Sequence, residues 1–361
     1  MPLLMDLLRD DIATLTQLFG PSGHEDAVIA EFLTQVRKQG FGATADRLGN
    51  VVVRARPAEP GWPTLAVSAH LDEVGFIVSE VGNGWVRVNR VGGVHDQVMA
   101  GQLLEFRTTG GEVVQGHVGV NSAHLSTPDT LSSAIRVEDA HVDLLIPSAE
   151  ELVQAGLSPG APAVFAGRFH QRGSLVRAKA LDDRAGLAVI LALLRSVPDL
   201  PPGPGLTVIA TVQEEFALRA GIAAAAAARP DILICVDITP TASIGADAGE
   251  HLLGAGPVLQ RYSRGKSGGG LIPNPRLATY ITRVAAENGI PLIQHTLDGG
   301  LTDGSYMQYA AGGIPVIDLT FGVRNAHTAV EVADLQDLAM LARLLGHLMA
   351  SLQQGSDFAR G

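Results

Sequence analysis

The segment Leu206-Thr207-Val208-Ile209-Ala210-Thr211-Val212 is apolar almost throughout, and it closes on Gln213-Glu214-Glu215. Such a run reads as a buried strand, and two adjacent acids stand at its end. A buried carboxylate is costly unless a partner offsets it. Two in a row point to a cation, or to a proton that must be moved. Three other apolar runs end in a similar way. Leu65 to Ala69 runs into His70-Leu71-Asp72, Ile232 to Val236 runs into Asp237, and Pro315 to Phe321 leads shortly to His327. A further acidic pair, Asp182-Asp183, opens a helical pattern. His, Asp and Glu at strand ends form the donor set of a two-metal hydrolase.

Strand-like and helix-like segments alternate on either side of a different texture. Helical spacing covers residues 5–19 and 25–38, with Ser22 and Glu25 spaced as a capping box. Strands are expected at 50–56 and 64–68. From about 73 to 175, short β-like pieces such as Gly75-Phe76-Ile77-Val78 and Trp85-Val86-Arg87-Val88 alternate with glycine. This predicts a small β-barrel inserted into an α/β chain, so that 1–72 and 176–361 form one catalytic domain. After Leu181 a helix at about 184–197, a strand at 206–213, an alanine-rich run at 220–228 and a strand at 232–237 follow. A helix at about 276–288, a short strand near 291–295 and a terminal helix at about 334–352 complete the chain, and the tail from Gln353 is expected to fray. The alternation predicts an α/β fold with a mostly parallel sheet and helices on both faces. Sites in such sheets lie at the carboxyl ends of strands, where the candidate residues fall.

Composition removes several classes of function. The 361 residues suffice for two domains, and hydrophobic residues make up an ordinary 46%. A net charge of −11 without a basic patch argues against nucleic acid. The single cysteine, Cys235, excludes an internal disulfide and sits in an apolar strand as a structural thiol. The first residues carry acids and no basic region, and no apolar stretch reaches the length of a membrane span. A soluble cytoplasmic enzyme is expected.

Each candidate has an ordinary reading beside the chemical one. His70 and Asp72 share a strand face, so they suit a metal ligand and its orienting carboxylate, although Asp72 could equally orient nearby backbone. Glu73, in the bend that follows, reads as structural. Asp182 could be a helix cap or a carboxylate bridging two cations about 3.5–4 Å apart. Asp183 then supports it from behind. Glu214 and Glu215 cannot point the same way on a regular strand, so one can bind metal while the other faces the attacking water. Asp237 suits a terminal ligand. His327 lies in a loop and draws its weight from the others. His24, His95, His251 and His295 read as structural or pocket residues.

Taken together, Ala69-His70-Leu71-Asp72-Glu73-Val74-Gly75, Ala180-Leu181-Asp182-Asp183-Arg184-Ala185-Gly186, Val212-Gln213-Glu214-Glu215, Val236-Asp237 and His327-Thr328-Ala329-Val330-Glu331 resemble the M42 family of metallo-aminopeptidases. The resemblance spans Gly20 to Glu331. It implies one metal held by His70, Asp182 and Asp237, and a second by Asp182, Glu215 and His327. Glu214 would be the general base, with Asp72 as a supporting catalytic residue. It further implies two divalent ions per chain, a cis Asp182–Asp183 peptide, short peptide substrates and a homo-oligomer, a dodecamer built from dimers and assembled through the barrel. Zinc or cobalt suits the donors, and manganese also fits. Phe216-Ala217-Leu218 departs from the family's usual Val-Gly, which bears on specificity. The competing readings are a deacylase of small amides, a glycosidase using paired acids, and a scaffold with relict ligands. Aromatic residues at 4% leave few platforms for sugars.

Overall fold

The structure, a computed structural model of the chain, describes residues 2–245, 251–266 and 268–359. Four strands form the parallel centre of its sheet, in the order Gly205–Thr211, Thr64–His70, Ile232–Cys235 and Val316–Arg324. Their in-register neighbours include Thr211 beside His70, and Ser68 beside Cys235 beside Asp318. Parallel pairing needs long crossovers, and these strands are separated by helices or by the barrel.

The sheet is mixed rather than mostly parallel. Ala43–Ala45 and Val51–Arg56 extend one margin antiparallel, and Glu331–Asp334, Leu175–Ala178 and His170–Arg172 extend the other. Val258–Arg264 also runs antiparallel to Val316–Arg324, while pairing in parallel with Ile293–Asp298. Short connections such as the one between Ala43–Ala45 and Val51–Arg56 permit only antiparallel pairing.

Side chains alternate across the central strands, so each face carries its own core. Leu65, Val67, Val208 and Ile234 pack with the helices Pro2–Leu15, Leu181–Ser196 and Leu335–Ser351. Ala66, Ile209, Leu233 and Val316 pack under Gly221–Ala228 and Gly304–Met307. Every residue from Leu181 to Leu194 is buried, as expected for a helix enclosed on all sides.

The glycine-punctuated segment closes into a barrel of Gly75–Gly82, Trp85–Val91, His141–Asp143, Val113–Val118, Leu103–Arg107 and Pro162–Phe165. Closure leaves no unpaired sheet edge. The barrel has a separate core, with Phe76 and Phe165 meeting edge to face at 5.1 Å.

Two local expectations fail. Ser22 and Glu25 form no capping box: Ser22 Oγ donates to Asp72 Oδ2 at 2.5 Å, and Glu25 stands at the helix cap without a side-chain bond to it. Glu25 Oε1 instead accepts from the backbone of Gly23 and Gln213. As far as Ala359, the last described residue, the tail is docked rather than frayed, because Phe358 is buried against Tyr280 and accepts a hydrogen bond from Asn274. Among the described residues, no helix is long and apolar enough to cross a membrane.

Candidate active site

At the carboxyl ends of the central strands the backbone breaks from regular geometry, and the candidate side chains gather there. His70 ends its strand, and Asp237 follows Ile232–Cys235. Gln213 turns left-handed (φ 57°), so Glu214 and Glu215 open the short helix Glu214–Ala217 instead of prolonging a strand. Their separation therefore comes from a helical step and not from strand alternation. Asp182 sits in the first turn of Leu181–Ser196 with non-helical angles, and the Asp182–Asp183 peptide is cis. His327 (φ 63°) occupies the loop between Val316–Arg324 and Glu331–Asp334. Left-handed angles at non-glycine residues are costly and persist where surrounding contacts hold them.

These elements bring the residues into two groups that share Asp182. Donor atoms of His70, Asp182 and Asp237 lie within 4.8 Å of one another, and so do those of Asp182, Glu215 and His327. His70 Nε2 is 3.0 Å from Asp182 Oδ1. His327 Nε2 is 3.4 Å from Asp182 Oδ2 and 3.3 Å from Glu215 Oε2. The opposite ring nitrogens face acceptors: His70 Nδ1 lies 3.4 Å from Asp72 Oδ1, and His327 Nδ1 lies 3.2 Å from the Gly93 carbonyl. If each Nδ1 carries the proton, each Nε2 lone pair points at carboxylate oxygen. Only a cation or a shared proton can hold such facing acceptors together. Glu215 Oε1 is buried with no hydrogen-bond partner among the described residues. The donor set of imidazole and carboxylate, and this unpaired oxygen, fit divalent metal.

A layer of buried groups fixes these side chains. Asp72 does both things that were open for it. It faces His70, and it accepts the backbone N–H of Glu214 at 3.0 Å and of Glu215 at 3.1 Å. Asp183 accepts from the His70 backbone at 3.3 Å. Glu73 is structural, holding Lys179 Nζ at 2.7 Å and Arg184 at 3.4 Å beneath the site. Glu331 was quoted only as part of a motif, and its role was not foreseen. Its two oxygens accept the N–H of Asp182 at 3.0 Å and of His327 at 2.7 Å. Asp303 and Asp318 are two further buried acids, and burial raises them to about 6 and about 7.

Five buried acids, Asp182, Asp183, Glu214, Glu215 and Asp237, surround two imidazoles, and the protonation pattern shows the resulting shortage of positive charge. Burial opposes charge on His70, yet Asp182, Asp72 and Glu214 outweigh it and raise His70 well above its usual value. Burial would raise Asp182, but His327 and His70 hold it below the carboxylate range. Burial pushes Glu214 well up, aided by Asp237, Asp303 and Glu215. Burial and Asp182 raise Asp237. Glu215 is pushed up to about 7 by burial, against the pull of His327.

The groups open into a cleft of about 520 Å³ that also receives His95 and Gly93 from the barrel side. A larger hollow of about 820 Å³ lies on the barrel. Its acids, Asp96 and Asp139, already face Arg90 and Arg136, so it lacks convergent unpaired chemistry.

Known proteins share this fold along nearly the whole chain. The TET aminopeptidase of Thaumarchaeota archaeon SCGC AB-539-E09 is 30% identical, with a TM-score of 0.88 covering 96% of this chain and 97% of that one. The lysyl aminopeptidase of Pyrococcus furiosus is 29% identical over 92% of this chain and 94% of its own length. The Pyrococcus horikoshii TET1 peptidase, which can assemble into a tetrahedron or a large octahedral shell, is 26% identical with a TM-score of 0.82, covering 96% of this chain and all (100%) of that one. The family model for M42 glutamyl aminopeptidase matches residues 49–344, and the chain belongs to this family of peptidases.

Proposed function

We propose that this chain releases N-terminal residues from short peptides by two-metal hydrolysis. The observation that carries the reading is the pair of donor groups sharing Asp182, with Glu214 beside them and in neither. His70, Asp182 and Asp237 would hold one divalent ion, and Asp182, Glu215 and His327 the other. When bound, such ions lower the pKa of a water to make a nucleophile and polarise the scissile carbonyl. Glu214 takes the proton of the attacking water and gives it to the leaving amine. Asp72 accepts the backbone amides of both Glu214 and Glu215 and so fixes the helical step that separates them. Asp183 and Glu331 hold the backbones of His70, Asp182 and His327, so the site is assembled before substrate arrives.

The barrel is read here as a separate domain, residues 73–175, that joins copies of the chain, with 1–72 and 176–361 as the catalytic domain. The assembly would be a dimer-based dodecamer, in keeping with the shells formed by the Pyrococcus horikoshii relative.

The test strips metal from the enzyme and adds back Zn²⁺, Co²⁺ or Mn²⁺ against a panel of aminoacyl-p-nitroanilides. Hydrolysis should vanish on stripping and return with metal, most strongly with zinc or cobalt. Full activity in the stripped enzyme would overturn the reading.

A further inference from the structure

The acids of the cleft meet one fixed positive side chain. Lys266 is the only lysine or arginine among the described residues that line it. It projects from the turn between Val258–Arg264 and Gly270–Leu271, which pair antiparallel through Ser263 and Leu271. The turn is closed by backbone bonds from Gly268 N–H to the Gly265 carbonyl at 3.2 Å and from Gly265 N–H to the Gly269 carbonyl at 3.4 Å. Gly299 N–H donates to the Arg264 carbonyl at 2.7 Å, which ties the turn to the opposite cleft wall. The Lys266 stem lies along Gly299: a Cβ there would sit 3.3 Å from Lys266 Cε. The absent side chain at Gly299 thus leaves room for the Lys266 stem where it lines the cleft. Lys266 is exposed, and no hydrogen bond or ion pair engages its ammonium among the described residues.

An unpaired ammonium in a cleft acts through what enters it. Two divalent ions would balance Asp182, Glu214, Glu215 and Asp237, and Lys266 then leaves the cleft positive. A cationic side chain on the substrate would be repelled there, and a carboxylate would gain a charged hydrogen bond. Leu301 beside Gly265 and Leu297 beside Gly300 also line the cleft and offer only apolar contact.

We propose that Lys266 binds a carboxylate of the peptide substrate and so sets which peptides are cleaved. This rests on the aminopeptidase reading above. The carboxylate comes either from an acidic first side chain or from the C-terminus of a dipeptide.

Two pairs of substrates separate these sources. Glutamyl-p-nitroanilide is compared with leucyl-p-nitroanilide, and Leu-Gly with Leu-Gly-amide, using metal-loaded wild type, Lys266→Met, Lys266→Arg and Lys266→Glu. Lys266→Met should lower the kcat/KM ratio of charged to neutral substrate by about 10- to 100-fold, as expected for one charged hydrogen bond. Lys266→Arg should retain most of the ratio, and Lys266→Glu should bring lysyl-p-nitroanilide into range. A fall in the first pair assigns the acidic side chain, and a fall in the second assigns the C-terminus. If wild type hydrolyses leucyl-p-nitroanilide but neither ratio moves more than twofold in Lys266→Met, this proposal alone is overturned. If wild type hydrolyses nothing in the panel, it falls together with the peptidase reading.

Discussion

Glu331 joins two backbone amides that belong to different elements, those of Asp182 and His327, and it does so while 1% exposed. Both residues belong to the group that would hold the second ion. A glutamine at this position offers one carbonyl oxygen and one NH₂, so one of the two amides must face another donor. Glu331→Gln is therefore expected to weaken metal binding by about 10- to 100-fold while the chain stays folded, since groups behind metal ligands commonly matter on that scale. Competition against a chelator with a known affinity, alongside circular dichroism, would measure it. Unchanged affinity would mean that the amides are held without the carboxylate. At this scale the sequence was most readable where chemistry meets a strand end. His70, Glu215 and Asp237 each follow an apolar run, and the position alone marks them. Glu331 was harder to read, because Glu331-Val332-Ala333-Asp334 looks like an ordinary strand with an exposed acid, and only tertiary contact makes it a clamp. Asp72 was half legible for a related reason. Its neighbour His70 is two residues away, but the amides it holds belong to residues 214 and 215.

Among the elements, the barrel was the easiest to recognise. Its strands are short, glycine punctuates them, and their apolar residues pack into a core of their own. Several apolar side chains remain exposed on this part of the chain, including Leu103 at 49%, Val113 at 51% and Leu125 at 77%. Apolar surface of this kind, on a segment with its own core, favours contact with another copy. Multi-angle light scattering at micromolar concentration is expected to give a mass several times that of one chain, with twelve copies as the expected end state. A mass equal to one chain would count against the barrel as an assembly domain. The sheet was less readable. Apolar runs signal burial but not strand direction, so the antiparallel margins at Ala43–Ala45 and Glu331–Asp334 could not be separated from the parallel centre. The capping box failed for a reason outside its own segment, since Ser22 finds a stronger acceptor in the Asp72 carboxylate. The tail failed likewise, because the partner that buries Phe358 lies on the helix Pro275–Glu287.

For the molecule as a whole, the candidate centre is a charge balance. Buried carboxylates outnumber the imidazoles beside them, burial and neighbouring acids raise the proton affinities of Glu214, Glu215 and Asp237, and divalent ions would relieve the excess. Two of these acids are neighbours in sequence yet are given different work. Glu215 would bind metal, while Glu214 would move a proton. The pair therefore offers the most direct measurement: metal content by mass spectrometry beside steady-state kinetics, for Glu214→Gln and Glu215→Gln. Glutamine is nearly the shape of glutamate but cannot take the water proton. Glu214→Gln should keep two metals per chain and lose about 10²–10⁴-fold in kcat, the range for general-base assistance. Glu215→Gln should lose affinity for the metal shared with His327. Loss of metal in Glu214→Gln with both metals retained in Glu215→Gln would show the two roles reversed, and full hydrolysis by both variants would contradict the two-metal account.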